Sequence, residues 1–351
     1  MFKFKLNPLT ARRFKRFRSI KRGYISFIGL TALILFAMFA ELFINSRALL
    51  VSYEGSLYFP TYGDIIPGSV FGEDYEYETN YRKLKEKFEA DTNTSNFVVM
   101  PLVPYNAYEN DLKEGAYPPF PPDFDRHHYL GTDKTGRDIL ARLIYGFRTA
   151  ILFSLGLLTL SYLIGVSIGC LMGYWGGKFD LAMQRLIEIW SNIPFLYVVI
   201  IISSIMVPNF TMLISIMVFF GWTQITWYMR TATYKEKARE YTAAAKSIGA
   251  RTPRIIFKHI LPNTISIIVT FIPFSIASGI TSLTALDFLG FGLPAPTPSW
   301  GELLQQGTES LDAVWIASSV VGFMIIILTM VTFIGEAIRE AFDPKPHTTY
   351  R

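Results

Sequence analysis

Cysteine and charge are both scarce in this sequence of 351 residues. Cys170 is the single cysteine and lies within an apolar run, so no intramolecular disulfide can form and the redox compartment is not indicated. Charged residues make up only 17%, whereas 51% of residues are hydrophobic and the mean hydropathy is +0.31. Such a chain is too apolar for an ordinary soluble domain, and its long apolar runs indicate membrane helices.

Ionisable residues are missing from the central parts of the longest apolar runs. An ion-coupled carrier or pump usually needs such residues at membrane depth, and so does a channel that selects ions with charged rings. The short loops also provide no Ser/His/Asp, zinc or paired-carboxylate arrangement. These absences argue against a self-energised carrier and against an enzyme. If the protein moves a substrate uphill, the energy has to come from a partner.

Two local patterns resemble ligand sites but lack an essential part. Gly131 and Gly136 have the spacing of a phosphate-binding loop, but Arg137-Asp138 follows where Lys-Ser/Thr is required. His127 and His128 are adjacent, and neighbouring side chains rarely converge on one metal ion. We therefore reject the phosphate loop and interpret the histidines as a hydrated interfacial pair.

The apolar runs predict an all-α membrane protein with six transmembrane helices. The predicted spans are 24–45, 151–174, 187–207, 212–229, 264–286 and 313–335. Pro194 and Pro273 are expected to kink the third and fifth spans. Small residues in the second span predict close helix packing; they are Gly156, Gly165, Gly169 and Gly173.

The one large hydrophilic region, 46–145, lies between the first two spans and carries 10 Lys/Arg against 16 Asp/Glu. Its aromatic content argues against disorder and predicts a small core, with a short helix at 83–90. We expect the region to end in an amphipathic helix that lies on the membrane surface and begins at Thr132 or Asp133. That helix has one apolar face, formed by Ile139, Leu140, Leu143, Ile144 and Phe147. The region could bind substrate, bind a docking protein or cover the helix ends.

The distribution of basic residues predicts the orientation. The tail 1–23 has nine basic residues and no acid, and it runs into the first span without a signal-peptide cleavage site. The segment 230–259 has eight basic residues against two acids, whereas 291–312 has three acids and no base. By the positive-inside rule, both termini (1–23 and 340–351) and the loop 231–263 are cytoplasmic, and 46–145 is outside.

The polar stretch 240–263 between the fourth and fifth spans has the pattern of a helix, a glycine stop and a second helix. Gly249 occupies the position of a left-handed C-terminal cap, and Thr252-Pro253 is typical of a helix start. The first helix has a stripe of mostly small apolar residues, namely Ala238, Tyr241, Ala244, Ala245 and Ile248. The stretch is either a plain connector or a helix that fits a groove on another protein.

This stretch resembles the cytoplasmic loop of bacterial ABC importer permeases, written E-A-A, three residues, G, nine residues, I-x-L-P. Ala243, Ala244 and Ala245 occupy the E-A-A positions, Gly249 is the glycine, and Leu261-Pro262 close the motif. Ala243 and His259 depart from the usual Glu and Ile. A glutamate stands one turn earlier, as in the E-Y-x-x-A-A form of the peptide-transporter subgroup; it is Glu240.

Two other blocks are similar to oligopeptide and dipeptide permeases: Tyr129 to Asp138 and Phe288 to Glu302. The chain as a whole looks most like the second permease subunit of Yej-type importers, which take up microcin C and oligopeptides. Residues 61–115 match least. The resemblance implies a five-helix permease domain at 146–339, preceded by an additional first helix, in the bacterial inner membrane.

The resemblance also implies the partners. They are a second homologous permease, ABC ATPase subunits that hold ATP and Mg, an extracytoplasmic peptide-binding protein and membrane lipid. The chain itself would bind no cofactor, metal or nucleic acid and catalyse nothing. The residues expected to couple it to the ATPases are Glu240, Tyr241, Ala243, Ala244, Ala245, Gly249 and Arg251, with Leu261 and Pro262 at the end of the motif.

The substrate path is not assigned by the sequence. Polar residues of the third to fifth spans are candidates, but packing or interhelical hydrogen bonding is the favoured interpretation of each; they are Ser203, Ser204, Gln224, Thr226, Ser275 and Ser278. Alternative functions are transport of another substrate of this family, such as a dipeptide or nickel, and a membrane-anchored extracytoplasmic binding domain.

Overall fold

The computed structural model describes residues 8–91 and 95–342, and most of them are helical. In chain order the elements are α1 Pro8–Ser19, α2 Lys21–Met38, β1 Leu50–Tyr53, β2 Ser56–Tyr58, α3 Tyr81–Ala90, β3 Phe97–Val99, α4 Ile139–Trp175, α5 Gly177–Ser191, α6 Phe195–Ile205, α7 Phe210–Lys237, α8 Glu240–Ser247, α9 Thr252–Ile255, α10 Leu261–Phe288, α11 Trp300–Glu309 and α12 Val314–Phe342. Residues 1–7 of the predicted basic tail and 343–351 of the predicted C-terminal tail lie outside the described residues.

Within the described residues, five helices are long and apolar enough to cross a membrane: α2, α4, α7, the continuous helix 252–288 and α12. The third predicted span is a pair of helices, α5 and α6, which bend by 63° at the break before Pro194. Proline lacks the N–H that an uninterrupted helix needs, so the expected kink is a full break. The number of spans is six if this pair counts as one.

The predicted glycine packing of the second span is confirmed. Along one side of α4, a Cβ at Gly169 would lie 2.6 Å from the Thr226 carbonyl oxygen, and one at Gly173 would lie 2.5 Å from that of Arg230. Gly165 meets α7 one turn earlier in the same way. Any side chain at these positions would collide with the α7 backbone, so glycine sets how closely the two helices approach.

The prediction of a separate interfacial helix at the end of 46–145 is wrong. The helix begins at Ile139, where Asp138 rather than Thr132 or Asp133 is the cap and accepts a 2.7 Å hydrogen bond from the Ala141 N–H. It then runs unbroken through the second span to Trp175. Its apolar face is covered by protein: Ile139, Leu143, Ile144 and Phe147 are buried, and Leu140 packs against the same core.

The hydrophilic region has the small core that the sequence predicts. A three-stranded antiparallel sheet in the order β2-β1-β3 places Val51 opposite both Tyr58 and Val98. Helix α3 packs on it, capped by Asn80, and begins two residues before the predicted start. The core consists of Ala48, Val51, Phe71, Tyr81, Leu84, Phe88 and Val98.

The segment 287–312 contains a helix that its Gly/Pro-rich composition does not predict. The Ser299 hydroxyl caps α11 by accepting from the N–H groups of Gly301 and Glu302. Trp300 stacks on Phe147 with ring centroids 6.0 Å apart, and its Nε1 donates to the Leu143 carbonyl at 3.0 Å. Helix α11 is thereby fixed against the first turns of α4.

Candidate functional site

Helix α8 is a short, firmly held projection between α7 and the continuous helix 252–288. The Tyr241 hydroxyl donates to a Glu236 carboxylate oxygen at 2.7 Å, and the Thr242 hydroxyl donates to the Glu236 carbonyl at 2.8 Å. On the other side Ala245 is buried against Ile255 and Ile260. These contacts connect α8 to two spans at once, so a force on α8 acts on both.

The outer face of α8 is exposed and partly apolar. Ala243, Ala244 and Glu240 are exposed, and the Ile248 side chain is 86% exposed. The predicted apolar stripe therefore divides, because Ala245 faces the protein whereas Ala244 and Ile248 face away from it. Ile248 and Ala244 thus form the exposed apolar part of the outer face of α8.

Gly249 ends α8 in the left-handed conformation that the sequence predicts, with φ of +79°. Its N–H donates to the Lys246 carbonyl at 3.0 Å, and the Ala250 N–H donates to the Ala245 carbonyl at 3.1 Å. A Cβ here would touch nothing within 4 Å, so glycine is needed for the backbone angle and not for space. The next helix starts one residue earlier than expected, with the exposed Arg251 as its cap.

Leu261 and Pro262, the end of the predicted motif, lie inside a continuous helix. One widened turn, Ile256–Ile260, precedes them, and the Leu261 N–H donates to the carbonyl of Ile256, five residues back. Pro262 has no N–H to donate to the carbonyl four residues back, and a π-type turn accommodates that loss. The turn after Gly249 thus leads directly into the fifth span.

A cavity of about 390 Å³ lies between α4, α7 and α10. Its walls carry no charged residue, and its polar groups include Gln224, Ser275 and Ser278 from the predicted candidates. Tyr162 and Ser161 from α4 also line it, and sequence reasoning missed them although they interrupt an apolar run. Hydroxyls and an amide in apolar walls can hydrogen-bond an uncharged polar group.

The other candidate polar residues do not face this cavity. Thr226 is fully buried, and its hydroxyl bonds to the carbonyls of Gly165 and Trp222, which makes it part of the α4–α7 contact. Ser203 and Ser204 lie on α6, where the Ser204 hydroxyl donates to the Ile201 carbonyl.

Ion pairs join the two distant blocks that carry the family resemblance. Arg137 contacts Asp133 at 2.7 Å and Glu302 at 2.6 Å, and the fully buried Arg142 also pairs with Glu302. Burial opposes the charge of Arg137, but Asp133 and Glu302 outweigh this effect and raise the pKa of the guanidinium. The network fastens α11 to the start of α4, at the opposite end of α4 from Tyr174, which packs against the cluster of Ala245, Ile255 and Ile260.

His128 is buried, so its interpretation as part of a hydrated pair is wrong. It is 1% exposed, stacks on Tyr105, and places its ring nitrogens 2.8 Å from Asp138 and 3.0 Å from Asp111. Burial opposes protonation, but the hydrogen bonds to the two carboxylates outweigh it and raise the pKa of His128. His127 is exposed. In residues 8–91 and 95–342 no group of three or more His, Cys, Asp or Glu could hold a metal ion.

Comparison with known proteins agrees with this architecture. Residues 165–347 match the family of the binding-protein-dependent transport system inner membrane component. The chain is 39% identical to the inner membrane ABC transporter permease protein YejE of Escherichia coli over 97% of this chain and 98% of that protein. It is 37% identical to the peptidoglycan transport system permease protein YejE of Agrobacterium fabrum, over 97% and 94%.

Similarity extends, at lower coverage, to the dipeptide transport system permease protein DppC of Bacillus subtilis. That protein is 34% identical over 70% of this chain and 75% of its own length. The resemblance to oligopeptide and dipeptide permeases, and to Yej-type permeases in particular, is thereby confirmed. The family match begins within α4, so the hydrophilic region with its β-sheet lies outside it.

Proposed function

The chain belongs to the family of binding-protein-dependent transport system inner membrane components, the permeases of ABC importers, and from this membership we propose that it forms half of a peptide translocation path. The other half is a second, homologous permease. ABC ATPase subunits that bind ATP and Mg supply the energy, and an extracytoplasmic binding protein delivers the peptide. This chain catalyses no reaction itself.

The geometry of α8 carries the proposal. Ile248 and Ala244 present an exposed apolar face, while Tyr241, Thr242 and Ala245 fix the opposite face to the ends of α7 and the fifth span. When the ATPases close on ATP, a groove that holds α8 moves it as a rigid unit. Because α8 is connected to both spans, this motion reorients the helices that line the cavity.

The usual glutamate of the motif is Ala243 here, which is exposed and carries no charge. Glu240, one turn earlier, is exposed at the start of α8, where a carboxylate interacts favourably with the helix dipole. Docking in this chain therefore depends on the shape of the Ala244–Ile248 face, with Glu240 and Arg251 as the charged groups at its ends.

The cavity fits a peptide main chain. Gln224, Ser275 and Ser278 offer hydrogen bonds, and the absence of charge among the lining residues means that no particular peptide side chain is selected by its charge. Main-chain amides are common to all peptides, so these groups favour broad peptide specificity. Oligopeptides, including microcin C-like peptides, are the proposed substrates.

The proposed orientation places both termini and α8 in the cytoplasm and the β-sheet region outside, because the basic residues concentrate in 1–23 and 230–259. In this orientation the ion pairs of Glu302 lie at the outer end of the path. There the sheet region covers the helix ends and is available to the binding protein.

Gly249→Val tests the coupling role. A β-branched residue is strained at φ of +79°, at a cost of roughly 1–2 kcal/mol, so α8 should reorient or lose its last turn. In proteoliposomes with the complete transporter, we expect ATP hydrolysis to continue while peptide uptake falls at least tenfold. Gly55→Val is the matched control, because Gly55 has φ of +78° and equally open surroundings but lies between β1 and β2.

Normal uptake by Gly249→Val would contradict the assignment of α8 as the coupling helix. Uptake that an ion gradient drives in vesicles without ATP would contradict the whole proposal. The substrate is tested by competition for uptake among a labelled oligopeptide, dipeptides and peptidoglycan fragments, the last because one relative is named for peptidoglycan transport. Competition by nickel alone would favour the other substrate class of this family.

A further inference from the structure

A second cavity, distinct from the path, opens at the side of the helix bundle. It has a volume of about 610 Å³ and lies among α2, α4, α10 and α12, with α1 across one end. Its walls are almost entirely hydrocarbon, for example Ile34, Leu155, Val269 and Ile272. We call it the lateral groove. Such an apolar lining is chemically suited to the acyl chains of a bilayer.

The α1 end of the lateral groove is cationic. Arg13 is among its lining residues together with the hydroxyl-bearing Thr10, and the Arg13 guanidinium lies 4.4 Å from the centroid of the Phe342 ring. Within the described residues no carboxylate pairs with Arg13, whereas Arg22 nearby is paired with Glu336. The Arg13 guanidinium and the Thr10 hydroxyl thus lie at one end of an apolar groove.

We propose that the lateral groove binds an anionic phospholipid, with one acyl chain between α2 and α10 and the phosphate at Arg13 and Thr10. The two ends of the site match the two ends of that ligand. A guanidinium binds phosphate oxygens through paired N–H donors, and α1 belongs to a segment, 1–23, with nine basic residues and no acid. A zwitterionic lipid brings its own cation to the phosphate and gains less from Arg13.

The position of the groove gives the lipid a structural role. Helix α1 contacts α12 through Phe17, Ala337 and Ala341, and the groove lies beneath the same helix. A lipid there fills the space between α1 and the helix α10 that follows α8 in the chain. Bound lipid should therefore support the position of α10 from the outside of the bundle, independently of the path.

The test uses the full chain isolated in mild detergent with its co-purifying subunits, and equal amounts of phosphatidylglycerol and phosphatidylcholine with identical acyl chains. Native mass spectrometry then counts the lipids that remain bound. We expect preferential retention of phosphatidylglycerol, and Arg13→Gln should reduce that preference about fivefold, the effect of one basic residue near an anionic lipid. Arg12→Gln is the matched control, because Arg12 is exposed on α1 outside the groove.

A second pair of variants tests the apolar part. Val269→Trp fills the groove and should displace one lipid of either kind, whereas Val321→Trp, at an exposed site on α12 outside the groove, should not. Equal lipid retention by wild type, Arg13→Gln and Val269→Trp would overturn the proposal. A photocrosslinker at position 269 that captures a protein subunit instead of lipid would also overturn the proposal. If Val269→Trp fails to insert into the membrane, the lipid retention of Arg13→Gln alone decides whether the proposal stands.

Discussion

Replacing Gly165 with alanine tests the contact that holds α4 against α7. A Cβ at this position would lie against the Trp222 carbonyl oxygen and a methyl group of Ile225, nearer than van der Waals contact allows. The carbonyl belongs to the helix backbone, so it cannot rotate away as a side chain could. The two helices must therefore separate locally. The hydrogen bond from the Thr226 hydroxyl to the Gly165 carbonyl is then weakened or lost.

The destabilisation that Gly165→Ala causes follows from two opposing effects. Overpacking a well-packed interior costs roughly 1–3 kcal/mol, and collision with a backbone atom puts this variant near the upper value. Alanine recovers up to about 1 kcal/mol through its better helix propensity. The net destabilisation is about 2 kcal/mol, which raises the population of separated helices about 30-fold.

The single cysteine provides the assay. Cys170 lies in the same interface, is 2% exposed, and accepts a 3.4 Å hydrogen bond from the Thr233 hydroxyl. Separation of α4 from α7 exposes this thiol to maleimide, so its labelling rate should rise about 30-fold in Gly165→Ala. The control is Gly322→Ala on α12, where a Cβ meets nothing within 4 Å and labelling should match wild type. A Gly165→Ala protein that inserts and labels at the wild-type rate would refute the packing argument.

Three further predictions concern the polar groups. Glu302→Gln leaves the buried Arg142 without its closest carboxylate and should destabilise this region by about 3 kcal/mol. The effect should be seen as faster hydrogen exchange in 129–142. The control Glu309→Gln removes only an exposed ion pair and should cost less than about 1 kcal/mol. The pKa of His128 is raised in the folded protein, so its ion pairs stabilise the fold fully below the unfolded pKa of about 6.5. This stabilisation is lost as pH rises through the higher folded pKa. Thermal stability should therefore fall over that pH range in wild type and not in His128→Gln. Gln224→Leu should lower peptide uptake several-fold with unchanged subunit assembly, and unchanged uptake would remove Gln224 from the path.

Helix positions were predictable because they depend on local patterns. Each predicted apolar run coincides with a helix or, at Pro194, with a broken pair, since run length acts within a few residues. Pro273, which was also expected to kink its span, instead lies inside the unbroken α10. The end of α8 at Gly249 was predictable for the same reason, because only glycine adopts φ of +79° without strain.

The errors arose where the same local pattern has two structural outcomes. An apolar face that starts at Ile139 is compatible with a membrane surface or with a protein neighbour, and only the packing of Trp300 and its helix against that face shows which one applies. Similarly, two adjacent histidines look alike in sequence, yet Asp111 and Asp138 enclose His128 and leave His127 exposed.

The sequence by itself determined the class of protein, the rough bounds of the apolar helices, the glycine-terminated α8 and the family. These properties depend on composition, on periodicity and on residues close together in the chain. Only the tertiary structure decided which face of α8 is free, which hydroxyls share the cavity with Gln224, and that Arg142 pairs with Glu302, 160 residues away. Such contacts depend on how whole helices pack, and no local pattern in the chain specifies the partner of a residue that distant.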